Sequence, residues 1–285
     1  MRIYQRFTFR EDNKKVMDFI DAQNIQLEFK VGGMINAIGI YEDDPKYRFI
    51  IDSLANLDLH PSSAHTRYTQ QEMDEAEWLT IATRWENGYP QPSPPSNRQK
   101  YYTETYDASN FCKCGGGSIQ KNSFKVKAAP KWGTGARQRH SLKLYWIHDE
   151  IFISQEVKKA FIENNVKGVK YLPVLTGRDN RELECTSQLF IENHLDLGLK
   201  LESIDFDESL TPCPECGNGK YLIRAGYLYY DRKVFDKVEV DIIKSGENFG
   251  SLYCVKEIFV NQRLRQILIA NKLDKSFRFV PVQLV

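Results

Sequence analysis

Apolar and polar residues alternate from Ile3 to Phe9, the two-residue period of a strand with one buried face. From Glu11 to Gln23 the period lengthens, and Val16, Met17, Phe19 and Ile20 fall on one helical stripe. Two further apolar runs, Ile25 to Val31 and Ile35 to Tyr41, flank Gly32-Gly33 and predict a hairpin. A second helix is expected over Tyr47 to Leu57. A third is expected from Thr69, where T-Q-Q-E (Thr69 to Glu72) forms a capping box, and it runs on through Trp78, Leu79, Ile81 and Trp85. The stretch Gly88 to Asn97 then places four prolines in ten residues, which removes amide donors and fixes φ. It is read as the boundary between an N-terminal α/β region, 1–95, and a second domain, 96–285.

Beyond that boundary the pattern repeats. Strands are expected at Tyr101 to Tyr106, Phe124 to Lys127, Leu142 to Ile147 and Val169 to Pro173, with a loop at Lys131 to Ser141 and a helix at Ser154 to Asn164. The second half predicts strands around Tyr221 to Leu228, Val238 to Ile243, Leu252 to Cys254 and Phe277 to Leu284, and a helix from Asn261 to Ala270. E-I-F-I-S-Q-E-V beginning at Glu150 returns 107 residues later as E-I-F-V-N-Q-R-L beginning at Glu257. The same shift matches Ile162 with Ile269 and Asn164 with Asn271, and Y-L-P-V at Tyr171 is echoed by F-V-P-V at Phe279. Ser154 and Asn261 take equivalent N-cap positions. Val157, Phe161 and Val166 should therefore face inward at the same places as Leu264, Leu268 and Leu273. The pattern predicts an α+β protein. Its N-terminal α/β region is followed by an internally duplicated, zinc-ribbon-like unit with strand–helix–strand modules, the repeats running over about 101–175 and 205–285.

Each repeat opens on a cysteine pair: C-K-C-G-G-G at Cys112 and Cys114, and C-P-E-C-G-N-G at Cys213 and Cys216. Two thiolates two residues apart in a tight turn can face one ion, and Gly217 permits that turn. The C-x-C pair is one residue shorter, so its turn must differ. Together the four sulfurs make a ligand set for structural zinc, with no open coordination position for catalysis. A redox role for C-P-E-C fits less well, because thioredoxin-type pairs open a helix and this pair lies between strands. Cys254 sits in an apolar run and reads as a buried thiol; Cys185 has no near neighbour in sequence.

Composition narrows the function. Apolar residues at 41% and aromatics at 12% make the chain globular. With 39 Lys and Arg against 38 Asp and Glu, no broad basic face is available for a phosphate backbone, so nucleic acid is not an expected partner. The N-terminus carries no signal-peptide pattern and no 18-residue apolar run could span a membrane, which makes the cytoplasm the expected compartment. There, cysteine pairs hold metal more often than disulfides. No phosphate-binding loop, dinucleotide fingerprint, nucleophile elbow or H-E-x-x-H pattern occurs, so an enzyme is not expected. His148, in W-I-H-D-E with Asp149 and Glu150, reads as a polar cluster at a sheet end. The run K-W-G-T-G-A-R-Q-R-H from Lys131 to His140 is either a solvated loop or a partner-contacting one, with Trp132, Arg137 and Arg139 as its candidate contacts.

Two C-x-x-C-G-like knuckles about a hundred residues apart, followed by an I-S-x-x-(helix)-x-G-V-x-Y-x-P-V segment, resemble the double-CXXCG-motif immunity proteins of bacterial polymorphic toxin systems. The residues carrying the resemblance are Cys112, Cys114, Gly115, Cys213, Cys216, Gly217, Ile153, Ser154, Gly168, Val169, Pro173 and Phe279 to Val282, within roughly 101–285. The first knuckle departs from the motif in its spacing. The resemblance implies a cytoplasmic, non-enzymatic protein that neutralises a cognate toxin by binding it. The other reading is a zinc-ribbon adaptor that touches nucleic acid or a macromolecular complex.

Overall fold

The computed structural model describes all residues except 32–33, 93–97, 108, 110–111, 113–117, 135–137, 204–211, 218, 224 and 251–253; the side chains of 29–31, 98–99 and 201 also lie outside the described set. The fold is mixed α+β. Its contacts divide the chain into two compact units, Met1–Glu72 with 224–227, and Met73–Ile223 with Leu228–Val285. The dividing point therefore falls some twenty residues before the expected boundary at 95. The physical reason is the strand at Trp78–Thr83, which is bonded into a sheet of the second unit. Residues 93–97 of the proline run lie outside the described residues.

The first unit follows the expected order: β1 (Arg2–Arg10), α1 (Lys14–Ala22), β2 (Phe29–Val31), β3 (Ile35–Tyr41), α2 (Tyr47–Asn56) and β4 (Ser63–Arg67). The strands lie in the order β2-β3-β1-β4, all neighbours antiparallel. This is the split βαβ, ferredoxin-like connectivity. Alternation along β1 turns Phe7 and Phe9 inward, where Val16 and Ile20 of α1 and Ile50 and Leu54 of α2 complete the core. The capping box forms as its spacing requires. Thr69 Oγ1 accepts from the Glu72 amide, and Glu72 accepts from the Thr69 amide at 2.7 Å.

That box opens only a short helix, α3 (Gln70–Glu75), followed by β5 (Trp78–Thr83) in place of the continuous helix expected through Trp85. In β5, Trp78 packs into one apolar cluster while Leu79 and Ile81 pack into another. A strand buried on both faces has no polar alternation to announce it, which is why it passed for helix.

Next come α4 (Arg98–Thr105) and β6 (Tyr106–Asp107), then β7 (Ile119–Gln120), β8 (Lys125–Val126), β9 (Ser141–Leu142), β10 (Ile151–Ser154), α5 (Gln155–Glu163), β11 (Lys170–Thr176) and β12 (Glu182–Phe190). The expected strand at Tyr101 to Tyr106 is thus mostly helix. Tyr101 and Thr105, one turn apart, are both buried, and the tyrosines' strand preference yields to that packing. The expected strand from Leu142 to Ile147 stops at Leu142 and turns, with Trp146 at φ 72°.

The second half adds β13 (Leu228–Tyr230), α6 (Arg232–Phe235), β14 (Ile242–Lys244), β15 (Ile258–Asn261), α7 (Gln262–Ala270) and β16 (Phe277–Leu284). Tyr221 makes only an isolated bridge to Phe249, Val238 lies outside β14, and 251–253 of the expected strand at Leu252 to Cys254 lie outside the described residues.

One five-stranded arrangement occurs twice, as β8-β11-β12-β10-β9 and as β13-β16-β5-β15-β14. The pairings correspond. Ile153 faces Ser187 as Val260 faces Leu79, Tyr171 faces Leu189 as Phe279 faces Ile81, and Phe152 faces Leu142 as Phe259 faces Ile243. In both sheets the strand that closes the strand–helix–strand module runs parallel to an edge strand, β11 to β8 and β16 to β13. Pro173 and Pro281 sit just before those parallel pairings begin, so the missing amide costs no bond on that side. The first sheet takes its central strand from the chain that follows β11. The second takes its own, β5, from ahead of the first sheet altogether. This wiring explains both the unit boundary and the sequence's silence about it.

Between the two sheets lies one shared core. Ile151, Ile153, Val157 and Phe161 from one half meet Ile258, Val260, Leu264 and Leu268 from the other. Val166 and Leu273 join at the expected places. Phe152 and Phe259, one residue out of phase, face separate outer clusters.

Candidate metal centre

The two cysteine motifs meet within the second unit. Cys112 and Cys213, 101 residues apart, bring their Sγ atoms to 3.4 Å. With Cys216 they form a set of three sulfurs lying within 4.8 Å of one another. Cys112 and Cys213 are buried and Cys216 is exposed. No disulfide joins the described cysteines. Tetrahedral coordination at a Zn–S distance of about 2.3 Å puts neighbouring sulfurs roughly 3.8 Å apart, so the spacing is that of ligands to one soft ion. Cys114, the fourth ligand expected from sequence, lies outside the described residues.

Local geometry explains why C-P-E-C-G presents two sulfurs together. The Gly217 amide donates to the Cys213 carbonyl at 2.8 Å, closing a tight turn, and Gly217 takes a φ of 70° that residues with a Cβ adopt with strain. The first motif is bracketed by the β6–β7 ribbon, in which Tyr106 pairs with Gln120 and Asp107 with Ile119. A Glu215 carboxylate oxygen lies 3.6 Å from Cys112 Sγ. The donor set fits a thiophilic ion.

Cys254 packs against the Cys112–Cys213 pair. Sequence spacing gave no sign of this, since Cys254 lies far from either motif. Cys185 is exposed, with its sulfur 3.4 Å from Thr186 Oγ1.

The basic loop has a different character. Trp132 packs on an apolar cluster of the first half, and its indole N–H donates to Thr186 Oγ1 at 3.0 Å. Arg139 is half-buried, its guanidinium 4.0 Å from the Trp85 ring centre. Arg137 lies outside the described residues. These contacts give Trp132 and Arg139 structural partners within the chain. His148 is exposed beside Lys143, at 3.4 Å, whereas its neighbour Glu150 is buried.

Glu150 belongs to a polar group that sequence reasoning missed. Its carboxylate accepts from Lys244 Nζ at 2.6 Å and from Gln188 Nε2 at 2.8 Å, and Gln188 is bonded in turn to Gln120. Burial disfavours the Lys244 ammonium, but Glu150 and Asp149 more than offset this and leave its pKa raised. No helix among the described residues is long and apolar enough to cross a membrane. No family model and no curated protein matches the chain.

Proposed function

We propose that this chain is an immunity protein: a non-catalytic cytoplasmic protein that neutralises a cognate bacterial toxin by binding it directly, with a structural zinc held by Cys112, Cys114, Cys213 and Cys216. The observation that carries the reading is the meeting of the two motifs, since the double-cysteine pattern that resembles the immunity proteins gathers three thiols around one position. The two matching sheets support the internal duplication read from the sequence repeat. Zinc would tie residues a hundred positions apart and so couple the halves, and its thiolates would supply no chemistry beyond that.

Two measurements test the reading separately. Elemental analysis of protein purified without chelator should find one zinc per chain, and Cys213→Ser should lose both the metal and thermal stability. Co-expression with a toxin-like gene adjacent to this one should rescue growth. Zinc without protection would leave the adaptor reading standing and remove the immunity one. Protection without zinc would remove only the metal.

A further inference from the structure

We propose that the open face of the first unit's sheet binds single-stranded nucleic acid. Helices α1 and α2 cover one face of that sheet, the face that receives Phe7 and Phe9. Strand alternation sends Arg2, Tyr4, Arg6, Thr8 and Arg10 to the other. The pairing register sets Tyr41 beside Tyr4 on β3, and Arg67 beside Arg2 on β4. On this face every charged side chain that β1, β3 and β4 project is a cation or a histidine. Its acids come from outside those strands: Asp43, Glu28 and Asp12 pair with Arg2, Arg6 and Arg10. Among the described residues no carboxylate lies within ion-pair distance of Arg67. Its guanidinium instead stands 5.5 Å from the Tyr41 ring centre and 5.7 Å from that of Tyr4.

The rings make the choice of occupant. Tyr4 and Tyr41 lie with centroids 4.8 Å apart, and Arg2 stacks 3.9 Å from Tyr41. Tyr4 lies across β3 because position 39 is glycine; a Cβ there would come within 1.9 Å of the Tyr4 hydroxyl oxygen. Two adjoining aromatic faces flanked by guanidinium planes are a stacking surface for unpaired bases, and the arginines around them suit phosphates. An acidic protein segment would engage the arginines and leave the tyrosine pair without a role. The near-neutral chain is compatible with this, because the cations form a narrow stripe and not a broad face. The inference stands independently of toxin neutralisation.

Fluorescence anisotropy of full-length protein with a labelled oligo(U) or oligo(dT) of about 12 nucleotides tests it, at about 50 mM salt and upward. Saturable binding that weakens with salt is expected. Arg67→Ala should weaken it about fivefold and lower the salt slope by about 0.7, the share of one phosphate contact. Tyr41→Ala should weaken it by a similar factor with the slope unchanged, and Tyr41→Phe should restore it, which separates stacking from a folding defect. No binding at the lowest salt, or binding indifferent to Arg67→Ala and Tyr41→Ala, overturns the proposal. So does poly-glutamate binding as tightly as the oligonucleotide and indifferent to Tyr41→Ala, which would assign the face to an acidic protein.

Discussion

The two sheets of the second unit share their wiring and differ in their charges. In the first half His140 precedes the edge strand β9; in the second, Asp241 precedes β14. Each gives its carbonyl to the amide at the N-cap of the following helix, His140 to Ser154 at 2.9 Å and Asp241 to Asn261 at 3.1 Å. Their side chains then meet the same two places. His140 contacts Ser154 Oγ at 3.1 Å and Glu156 at 3.8 Å, while Asp241 accepts from Asn261 at 2.9 Å and Arg263 at 2.8 Å. An imidazole facing an acid has become an acid facing a guanidinium. Backbone topology is held by apolar periodicity, which both halves keep; a polar pair needs only to be complementary, so either polarity serves.

The edge lysines sharpen the contrast. Lys244 pairs with Ile258, and Lys143 holds the equivalent position one residue past the Leu142–Phe152 pair, yet Lys143 lies near the surface beside Glu86 at 3.9 Å while Lys244 is buried against Glu150. The second lysine reaches from one sheet to the first residue of the repeated motif in the other half. Lys244→Met should therefore cost about 3–5 kcal/mol, because it strands the Glu150 carboxylate in the interior. Lys143→Met should cost less than about 1 kcal/mol. Denaturant titration of the two variants measures the difference. Adding Glu150→Gln to Lys244→Met should recover much of the loss; equal costs for the two lysines would mean that the halves are not divided in this way.

The same contrast shows what the sequence could carry. Strand, helix and closing strand were legible in both halves because Ile151 to Phe161 and Ile258 to Leu268 repeat the alternation and stripe that burial demands. The cysteine cluster was legible because thiols at short spacing in a tight turn can face one ion. β5 was not, since Trp78 to Ile81 serve two cores and show no single period. Nor was the Glu150–Lys244 contact, which joins residues 94 apart in sequence through the placement of a sheet edge. Cys254 reaches the thiols by the same kind of long-range route.

A smaller effect is expected at the acid of the second half. Burial alone would raise the Asp241 pKa, but the Lys167 amide, the Asn261 side chain and the Arg263 guanidinium outweigh it and hold the carboxyl below its ordinary range. A carboxyl depressed in the folded state adds stability above its unfolded pKa, and that stability is lost as pH falls through the folded value. Asp241→Asn should cost about 1–3 kcal/mol at neutral pH and flatten the acid limb of a stability-against-pH curve. A variant whose acid limb matches that of the parent protein would show that the charge at this position adds nothing.

The smallest difference lies in the caps. The Asn261 side chain accepts from the Leu264 amide at 2.9 Å, closing the first turn of α7. Ser154 makes no such bond at α5; its hydroxyl is turned to His140, and Glu156, drawn below its usual range by Ser154 and its own amide, lies mostly in solvent. Asn261→Ala should thus cost about 1 kcal/mol, the ordinary loss of an N-cap, plus part of the Asp241 contact. Glu156→Gln, which removes only an exposed charge, should change stability by no more than about 0.5 kcal/mol. Thermal melts of the two variants decide the matter. If Glu156→Gln costs as much as Asn261→Ala, then the first half draws more on its reversed pair than the exposure of Glu156 allows, and the two halves are electrostatic equals after all.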